Sequence, residues 1–553
     1  MSKPFFLNRP SLYYKPGIYR WLLLLALLCM AFIYNYYEIV QMRPCGIHVW
    51  RQADCLSLAM GYYQGDMNFF KPVMHNLQSD GLTTGLTAGE FPVLYYLIAV
   101  LWKLFGYHEW IYRAVVILIS FIGLYSLYRL MERILKDSAW AVMFSMLVFT
   151  SPIIVYYSNN FLTNIPAWSF AIAGTYLFYR FADEKKARYL WFSMALFALS
   201  GLLKVSSLIP FLVIGFMYIT ESTGMIRYRK DHKIFDRPLK QMLPFMAAIA
   251  AILSWYIYAY YFNATHGGKY TFNHIWPVWE IPAAKVSQIW RDFRMFLVHQ
   301  IYGMPALIFT GLSLLTVTIM SFFGKFRWPL LLLLYLLAAG TVMYFLLWYQ
   351  AFDVHDYYMI DLTFLFIGAA AAFFWFMKDR LNKVFSHWLT RLVFAGLLVY
   401  GIFYENNNIE TRLFFGKRAE NVQKRYMSGH ELGIWWYLGN HYNIYIRPFS
   451  TMEAYNRSIG IKPEDKVVVT PDGSINISLA LMTQYGWTDF GSPLLPPAER
   501  LAKLKEMGAR YLFVADPALY EQGYLGAFTS RKAGHYEGVD IYDLTASGPE
   551  TVE

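Results

Sequence analysis

The stretch His48-Val-Trp-Arg-Gln-Ala-Asp54 lies in a polar loop over residues 41–91, directly after the first long apolar run of the chain. The loop ends at Gly89-Glu-Phe-Pro92, so two acids, an arginine and a histidine lie within a turn or two of apolar sequence. Ionisable groups beside a membrane are costly to desolvate, and they indicate a functional site more than packing. The loop is therefore the strongest candidate for a site of chemistry.

The composition places the chain among membrane proteins. Of its 553 residues, 57% are hydrophobic, 19% are aromatic and only 15% are charged, whereas a soluble domain carries about 25% charged residues. The net charge of +11 comes largely from basic residues in short loops between apolar runs. Such a distribution is typical of membrane topology and argues against a nucleic-acid partner.

Eleven apolar runs are predicted to cross the membrane, since each span needs roughly 20 residues. The predicted spans are 21–40, 111–130, 138–157, 163–182, 189–203, 205–220, 241–262, 303–323, 328–348, 357–377 and 387–404. The sequence therefore predicts a polytopic α-helical protein of the plasma (inner) membrane.

The basic residues also predict the topology. Those before the first span place the N-terminus in the cytoplasm and loop 41–91 outside. If the short apolar stretch 92–106 does not cross, the later basic connectors all fall inside, as the positive-inside rule requires. The stretch is therefore predicted to be an interfacial amphipathic helix, with the C-terminus outside.

Residues 405–553 differ in pattern from the membrane part, residues 1–404. Short apolar runs bounded by turn residues predict strands, and one segment with helical spacing ends at Gly508, a typical residue just after a helix. The predicted elements are a strand at 466–470, a helix at 499–507 and strands at 511–515 and 539–544. We therefore expect a small extracytoplasmic α/β domain.

Several segments of the membrane part resemble the GT-C glycosyltransferases of family 39, the protein O-mannosyltransferase and aminoarabinose-transferase type. In that family the first external loop carries an acid motif, followed by a Glu-x-Pro segment and an interfacial helix. The matching pieces are Trp50-Arg-Gln-Ala-Asp54, Gly65-Asp66, Glu90-Phe-Pro with the apolar run to Gly106, Glu109-Trp-Ile-Tyr-Arg113 and Ser151-Pro-Ile-Ile-Val-Tyr-Tyr157. The resemblance covers roughly residues 20–380.

The resemblance implies a membrane enzyme that moves a sugar from a polyprenyl-phosphate donor to a hydroxyl of a lipid, protein or glycan acceptor on the outer face, with inversion. Inversion requires a carboxylate that takes the acceptor's proton. The departing phosphate requires cationic or hydrogen-bonding partners. No residue is assigned to a metal, although a divalent ion stays open as a cofactor.

Asp54 is the predicted base, and Glu90 is predicted to orient the acceptor or to share that role. The carrier phosphate is assigned to Arg51, Lys204, His355 and Tyr358. Contacts to sugar or acceptor are assigned to His48, Trp50, Asn164 and Asp356.

Two departures from the family pattern bear on these roles. The family's acidic pair in the first loop usually lies about one turn before the position of Asp54. Asn164 stands where the family often has an acid before its proline. Because Trp50 and Asp54 are four residues apart, they would share one face of a continuous helix, and Asp54 would then act from a shifted position.

Structural alternatives exist for each assignment. Asp54 could simply pair with Arg51, and Glu90 could be an acid favoured at a helix N-terminus. Lys204 could reach lipid headgroups. Cys45 and Cys55, which flank the loop motif, could form a disulfide in an oxidising compartment.

Two other classes of protein would also fit a polytopic chain. A lipid-carrier transporter or flippase usually shows internal repeats and charges at the membrane midplane, whereas here the polar groups gather on one face and no repeat is visible. The third alternative, a non-catalytic scaffold, leaves the acids of the loop unexplained.

Overall fold

The computed structural model describes residues 11–81, 83–229, 231–270, 275–294, 298–353, 355–414, 433, 445–491 and 495–545. The chain divides into two compact units. The helical unit contains Met1–Val40, Arg113–Tyr256 and His274–Ile409, and the loop–sheet unit contains Gln41–Tyr112, Ile257–Asn273 and Glu410–Glu553.

Helices dominate the described residues. In chain order they are α1 (Pro16–Ile33), α2 (Tyr36–Ile39), α3 (Val49–Gln64), α4 (Val93–Phe105), α5 (Glu109–Leu135), α6 (Ser138–Val148), α7 (Pro152–Ser158), α8 (Asn164–Glu184), α9 (Ala187–Leu203), α10 (Ile209–Ser222), α11 (Pro238–His266), α12 (Ala283–Asp292), α13 (Val298–Ile301), α14 (Met304–Phe322), α15 (Trp328–Leu347), α16 (Thr363–Arg380), α17 (Asn382–Ser386), α18 (Trp388–Leu413), α19 (Arg447–Ser458), α20 (Ile477–Leu481) and α21 (Pro497–Glu506). Short 3-10 segments lie at Leu77–Asp80, Val205–Leu208, Val278–Glu280, Tyr349–Asp353, Asp356–Ile360, Pro517–Gln522 and Gly526–Phe528.

Eight helices within the described part of the chain are long and apolar enough to cross a membrane. They are Pro16–Ile33, Glu109–Leu135, Val205–Ser222, Pro238–His266, Met304–Phe322, Trp328–Leu347, Asp356–Arg380 and Trp388–Leu413. The pair α6 and α7 would be a ninth span, bent by 79°. Of the other predicted spans, α9 is shorter and α8 is not among the sufficiently apolar helices. The prediction of a polytopic helical protein is confirmed. The number of helices that are long and apolar enough to span a membrane is eight or nine in the described residues, instead of the eleven spans predicted.

The sequence explains where these helices begin and what they present outward. Proline occupies the first turn of α1, α14 and α15, where its fixed φ suits a helix and its missing N–H leaves no bond unmade. In α15, Tyr335, Val342 and Met343 are exposed. Exposed apolar side chains on a helix that is otherwise hydrophobic all round suit contact with lipid tails.

A five-stranded sheet forms the C-terminal part of the loop–sheet unit. Its order is β2-β1-β3-β5-β4, in which β1 pairs parallel with β2 and β3, and β5 pairs antiparallel with β3 and β4. The strands are β1 (Lys466–Thr470), β2 (Gly486–Trp487), β3 (Ala509–Val514), β4 (Lys532–Tyr536) and β5 (Val539–Asp543). The predicted strands at 466–470, 511–515 and 539–544 and the helix at 499–507 are confirmed, with Gly508 at φ +96.

The polar loop of the sequence packs against this sheet within the loop–sheet unit. Val49 and Ala53 of α3 belong to the same hydrophobic cluster as Val467, Val469 and Phe513 of the sheet. Alternate residues of a strand face opposite sides, and accordingly Val468 packs in a second cluster on the other side. The loop motif therefore lies on a helix that is covered by the α/β part of the chain.

A half-buried arginine, Arg43, also connects the start of the loop to the α/β part. The guanidinium of Arg43 donates to the Glu109 carboxylate at 2.9 Å and to the backbone carbonyls of Ser450 and Leu481 at 2.9 and 2.7 Å. Hydrogen bonds to carbonyl oxygens compensate for the water that the guanidinium group loses on burial. The two bonds to carbonyls connect Arg43 with residues that are over 400 positions away in the sequence.

Candidate active site

Asp54 lies in the second turn of α3 and is 1% exposed. The helix begins after His48, which adopts a left-handed conformation with φ of 57°. Trp50 and Asp54 lie on one continuous helix, the condition under which they share a face. Their spacing is compatible with a helix, but nothing in the sequence shows that the acid is buried.

The partner of Arg51 is Glu90, with which it forms an ion pair. Glu90 also accepts a hydrogen bond from the Tyr95 hydroxyl at 2.5 Å. The same hydroxyl lies 3.5 Å from the Cys55 sulfur. Arg51, Glu90 and Tyr95 therefore form one connected polar cluster beside Asp54.

The side chain of Asn476, which lies between β1 and α20, donates to Asp54 Oδ1 at 2.9 Å. Burial raises the pKa of Asp54 to about 7, against the lowering effects of the Arg51 charge and the Asn476 hydrogen bond. The charges of Glu90 and Asp472 raise the pKa further. The carboxyl group therefore exchanges a proton near neutrality, the range that suits a general base.

The segment that carries Asn476 is held by a hydrogen-bonded turn. The Asp472 carboxylate accepts from the Ser474 backbone N–H at 2.8 Å and from the Ser478 hydroxyl at 2.5 Å. The Asn76 amide donates to the carbonyl of Ile475 at 2.8 Å. The sequence did not indicate Asn476 and Asp472 as site residues, because only the tertiary fold brings this turn to α3.

An aromatic surface lies at the start of α3. The ring of Trp50, 38% exposed, meets the ring of Phe490 edge to face at 5.2 Å. The ring of Tyr270 also meets the ring of Phe490 edge to face, with the centroids 5.2 Å apart. His48 is half-buried one turn before Arg51 and Gln52. Trp50, which was predicted to contact sugar or acceptor, thus has an accessible ring and an aromatic neighbour.

In the helical unit, the ammonium group of Lys204 lies 4.3 Å from the ring centroid of Tyr358. Two hydroxyls just after Lys204, those of Ser206 and Ser207, each donate to the Asp361 carboxylate at 2.6 Å. Lys204 and Tyr358 were predicted to act together, and the structure brings them into contact. Asp361 was missed, although an acid inside the predicted span 357–377 is itself a signal of function.

The remaining predicted residues of the helical unit are Asp356, His355 and Asn164. Asp356 accepts from the Tyr157 hydroxyl at 2.5 Å. The His355 ring lies 6.2 Å from that of Tyr358. Asn164 is the first residue of α8 and is buried.

Two further alternatives from the sequence concern metals and disulfides. Among the described residues, no cluster of three histidine, cysteine, aspartate or glutamate side chains is arranged to hold a metal ion. Cys45 and Cys55 do not form a disulfide. Burial raises the pKa of the Cys55 thiol to about 12, so this group is a neutral hydrogen-bonding neighbour of Tyr95.

The comparison with protein families gives a match over part of the chain. Residues 89–235 match the family described as dolichyl-phosphate-mannose-protein mannosyltransferase. This segment runs from the end of the polar loop through α4 to α10. The comparison with curated protein sequences gives no match.

Solved structures resemble the chain over nearly its whole length. ArnT from Cupriavidus metallidurans in the apo state has a TM-score of 0.59 and 13% identity, over 95% of this chain and 99% of that chain. The same protein bound to undecaprenyl phosphate has a TM-score of 0.53 and 11% identity, over 95% and 98%. The apo oligosaccharyltransferase of Archaeoglobus fulgidus has a TM-score of 0.52 and 12% identity, over 91% and 70%.

At these identities the structural likeness establishes the fold, and the family match agrees with it. The class predicted from the sequence is therefore confirmed, and the chain is a polytopic membrane protein with the GT-C glycosyltransferase fold.

Proposed function

We propose that this chain transfers a sugar from a polyprenyl-phosphate carrier to an acceptor hydroxyl on the outer face of the plasma membrane, with inversion. The observation that carries the proposal is a buried carboxylate, Asp54, with a pKa of about 7 in a GT-C fold. A lipid-linked donor is supported by the similar structure that holds undecaprenyl phosphate. It also suits an outer face, where nucleotide sugars are absent.

In the proposed reaction, Asp54 accepts the proton of the acceptor hydroxyl as its oxygen attacks the anomeric carbon. The bond from that carbon to the phosphate oxygen breaks, and the polyprenyl phosphate leaves with the electron pair. A base near neutral pKa can take the proton in one turnover and release it to water afterwards.

Glu90 is proposed to orient the acceptor instead of acting as the base. Its carboxylate already forms an ion pair with Arg51 and accepts a hydrogen bond from Tyr95. Arg51, kept charged by Glu90, is proposed to favour the ionised form of Asp54 and to contact the donor phosphate. Two charges held together out of water remain oriented without reorganisation when charge develops in the transition state.

Lys204 is proposed to bind the carrier phosphate, with Tyr358 and His355 beside it. An ammonium group over an aromatic ring keeps its donors available to an anion while the ring stabilises its charge. Asn164 and Asp356 stay assigned to sugar or acceptor contact. The acceptor is a lipid, a protein or a glycan, and Trp50 with Phe490 is the proposed surface that meets it.

Release of free polyprenyl phosphate from a panel of lipid-linked sugars, measured with purified protein and an acceptor mixture, tests the proposal. Sugar-dependent release with transfer to the acceptor is expected. Movement of the lipid-linked sugar between leaflets of vesicles, without cleavage, would favour the lipid-carrier transporter instead.

Turnover is expected to fall as the pH falls through about 7. A carboxylate base works only when ionised, and burial moves the pKa of Asp54 up from its ordinary value to about 7. Turnover at pH 5 should therefore be roughly fiftyfold lower than at pH 7, because about 1% of the groups are ionised there instead of half. A turnover that stays level between pH 5 and 7 would contradict this role.

The proposed topology has a cytoplasmic N-terminus, loop 41–91 outside and an outer domain from residue 405. In a variant without the three natural cysteines, cysteine at Gln64 or Glu464 is expected to react with an impermeant thiol reagent from outside intact cells. Cysteine at Lys233 should react only after the membrane is opened, since basic connectors stay inside. All three side chains are exposed. Labelling at Lys233 from outside would overturn the topology.

A further inference from the structure

The α/β domain places one side chain directly on the proposed base. Asn476 is fully buried, and its Nδ2 group donates to Asp54 Oδ1 at 2.9 Å across 422 positions of sequence. Phe490 of the same domain is proposed to meet the acceptor, whereas Asn476 contacts the proposed base itself. The contact therefore connects the domain to the chemistry.

The orientation of the Asn476 amide is determined by its other neighbours. The backbone N–H of Asn76 donates to Asn476 Oδ1 at 3.0 Å, and a backbone N–H can only donate. The second Nδ2 hydrogen is directed to the Met74 sulfur at 3.5 Å. A flipped amide would set two donors against each other at Asn76 and two acceptors at Asp54, so Nδ2 must face the carboxylate.

We propose that Asn476 is a positioning residue for Asp54. Its N–H group holds Oδ1 and stabilises the ionised carboxylate, and Oδ2 is assigned to take the proton of the acceptor. This inference rests on the proposed function of Asp54 as the base. It gives the C-terminal domain a defined part in the reaction, namely to complete the site around α3.

Other charged or titratable groups also face Asp54, and each of them contributes to the pH at which Asp54 titrates. They are Arg51 and Cys55 on α3, Glu90 before α4, Asp472 in the same turn as Asn476, and Tyr270 after α11. Burial raises the pKa of Cys55 to about 12 and that of Tyr270 above its ordinary value. His75, bonded to Ser57 at 2.9 Å, has its pKa lowered by burial to about 3 and stays neutral above pH 5.

The test is the pH dependence of turnover between pH 5 and 10 in the full-length protein, with a lipid-linked sugar that the wild-type enzyme cleaves. Loss of a hydrogen bond to a charged group corresponds to a shift of about one to two pH units. The pH below which turnover falls, here called the acid limb, should therefore be higher by that amount in Asn476→Ala. Most of the turnover should be recovered near pH 9.5. Asn476→Asp, nearly isosteric, should move the acid limb further, because it replaces a donor with a like charge.

Asn456→Ala is the matched control, since Asn456 is a buried asparagine of the same domain whose amide donates to the Met482 sulfur. It should keep the wild-type limb even if stability falls. If Asn476→Ala does not fold, Asn476→Asp decides. Folded Asn476 variants with the wild-type limb, whatever their turnover, would overturn the inference. Full turnover in Asp54→Asn would instead overturn the proposed base itself.

Discussion

Asp54→Asn is expected to lower turnover by about 10²-fold or more, the usual scale for loss of a general base. Asparagine keeps the shape of the side chain but cannot accept a proton. Because the carboxylate is fully buried beside Arg51 and Asn476, no solvent group replaces it readily. Binding of the lipid-linked donor should largely survive, since the phosphate contacts are assigned to other residues. Initial rates of polyprenyl phosphate release, with donor binding measured separately, give both quantities.

Asp66→Asn is the control for this experiment. Asp66 lies just beyond the end of α3, is exposed, and accepts a local hydrogen bond from the Asn68 backbone N–H at 3.0 Å. Its replacement should leave turnover near the wild-type value. Wild-type turnover in Asp54→Asn, with loss confined to Glu90→Gln, would transfer the role of base to Glu90.

Lys204→Ala is expected to weaken binding of polyprenyl phosphate and of the sugar-charged carrier alike, by roughly 5- to 150-fold. This range corresponds to about 1–3 kcal/mol for a charge-assisted hydrogen bond. Neutral sugars should bind as before, because they carry no phosphate. Equilibrium binding of undecaprenyl phosphate to protein in detergent micelles measures the effect.

Lys186→Ala provides the matched control, since Lys186 is an exposed lysine of the same unit that pairs with Glu184 at 3.2 Å. It should leave carrier affinity unchanged, and Lys204→Arg should retain part of it. If carrier affinity survives the removal of both Lys204 and Arg51, the phosphate site lies elsewhere. If the carrier binds and no acceptor ever receives sugar, the transporter alternative gains.

The local pattern of the sequence was sufficient for several elements near the site. The short apolar helix α4 and strands β1, β3 and β5 follow from periodicity and turn residues, and the spacing of Trp50 and Asp54 is compatible with the helix that carries them. The short strand β2 was not predicted, because two residues are too few to show a period. The polar edge strand β4 was missed because Lys532–Tyr536 has no apolar alternation.

The partners of the charged groups could not be predicted from the sequence. Arg51 was predicted to bind phosphate, and the possibility that it pairs with Asp54 was left open. The structure pairs it with Glu90, 39 positions away. Contacts over such distances depend on how helices and loops pack, and a single sequence records only which residues are neighbours along the chain.

The amino-acid sequence was enough to predict a polytopic membrane protein that resembles the GT-C glycosyltransferases, and to identify residues 41–91 as a loop with ionisable groups suited to chemistry. These properties depend on composition, apolar run length and motif spacing, all of which are local. The burial of Asp54, which raises its pKa to about 7, and its hydrogen bond from Asn476 became visible in the folded chain alone. Desolvation comes from the atoms packed around a group, and α3 is packed in part by a sheet and a turn more than 400 residues further along the chain.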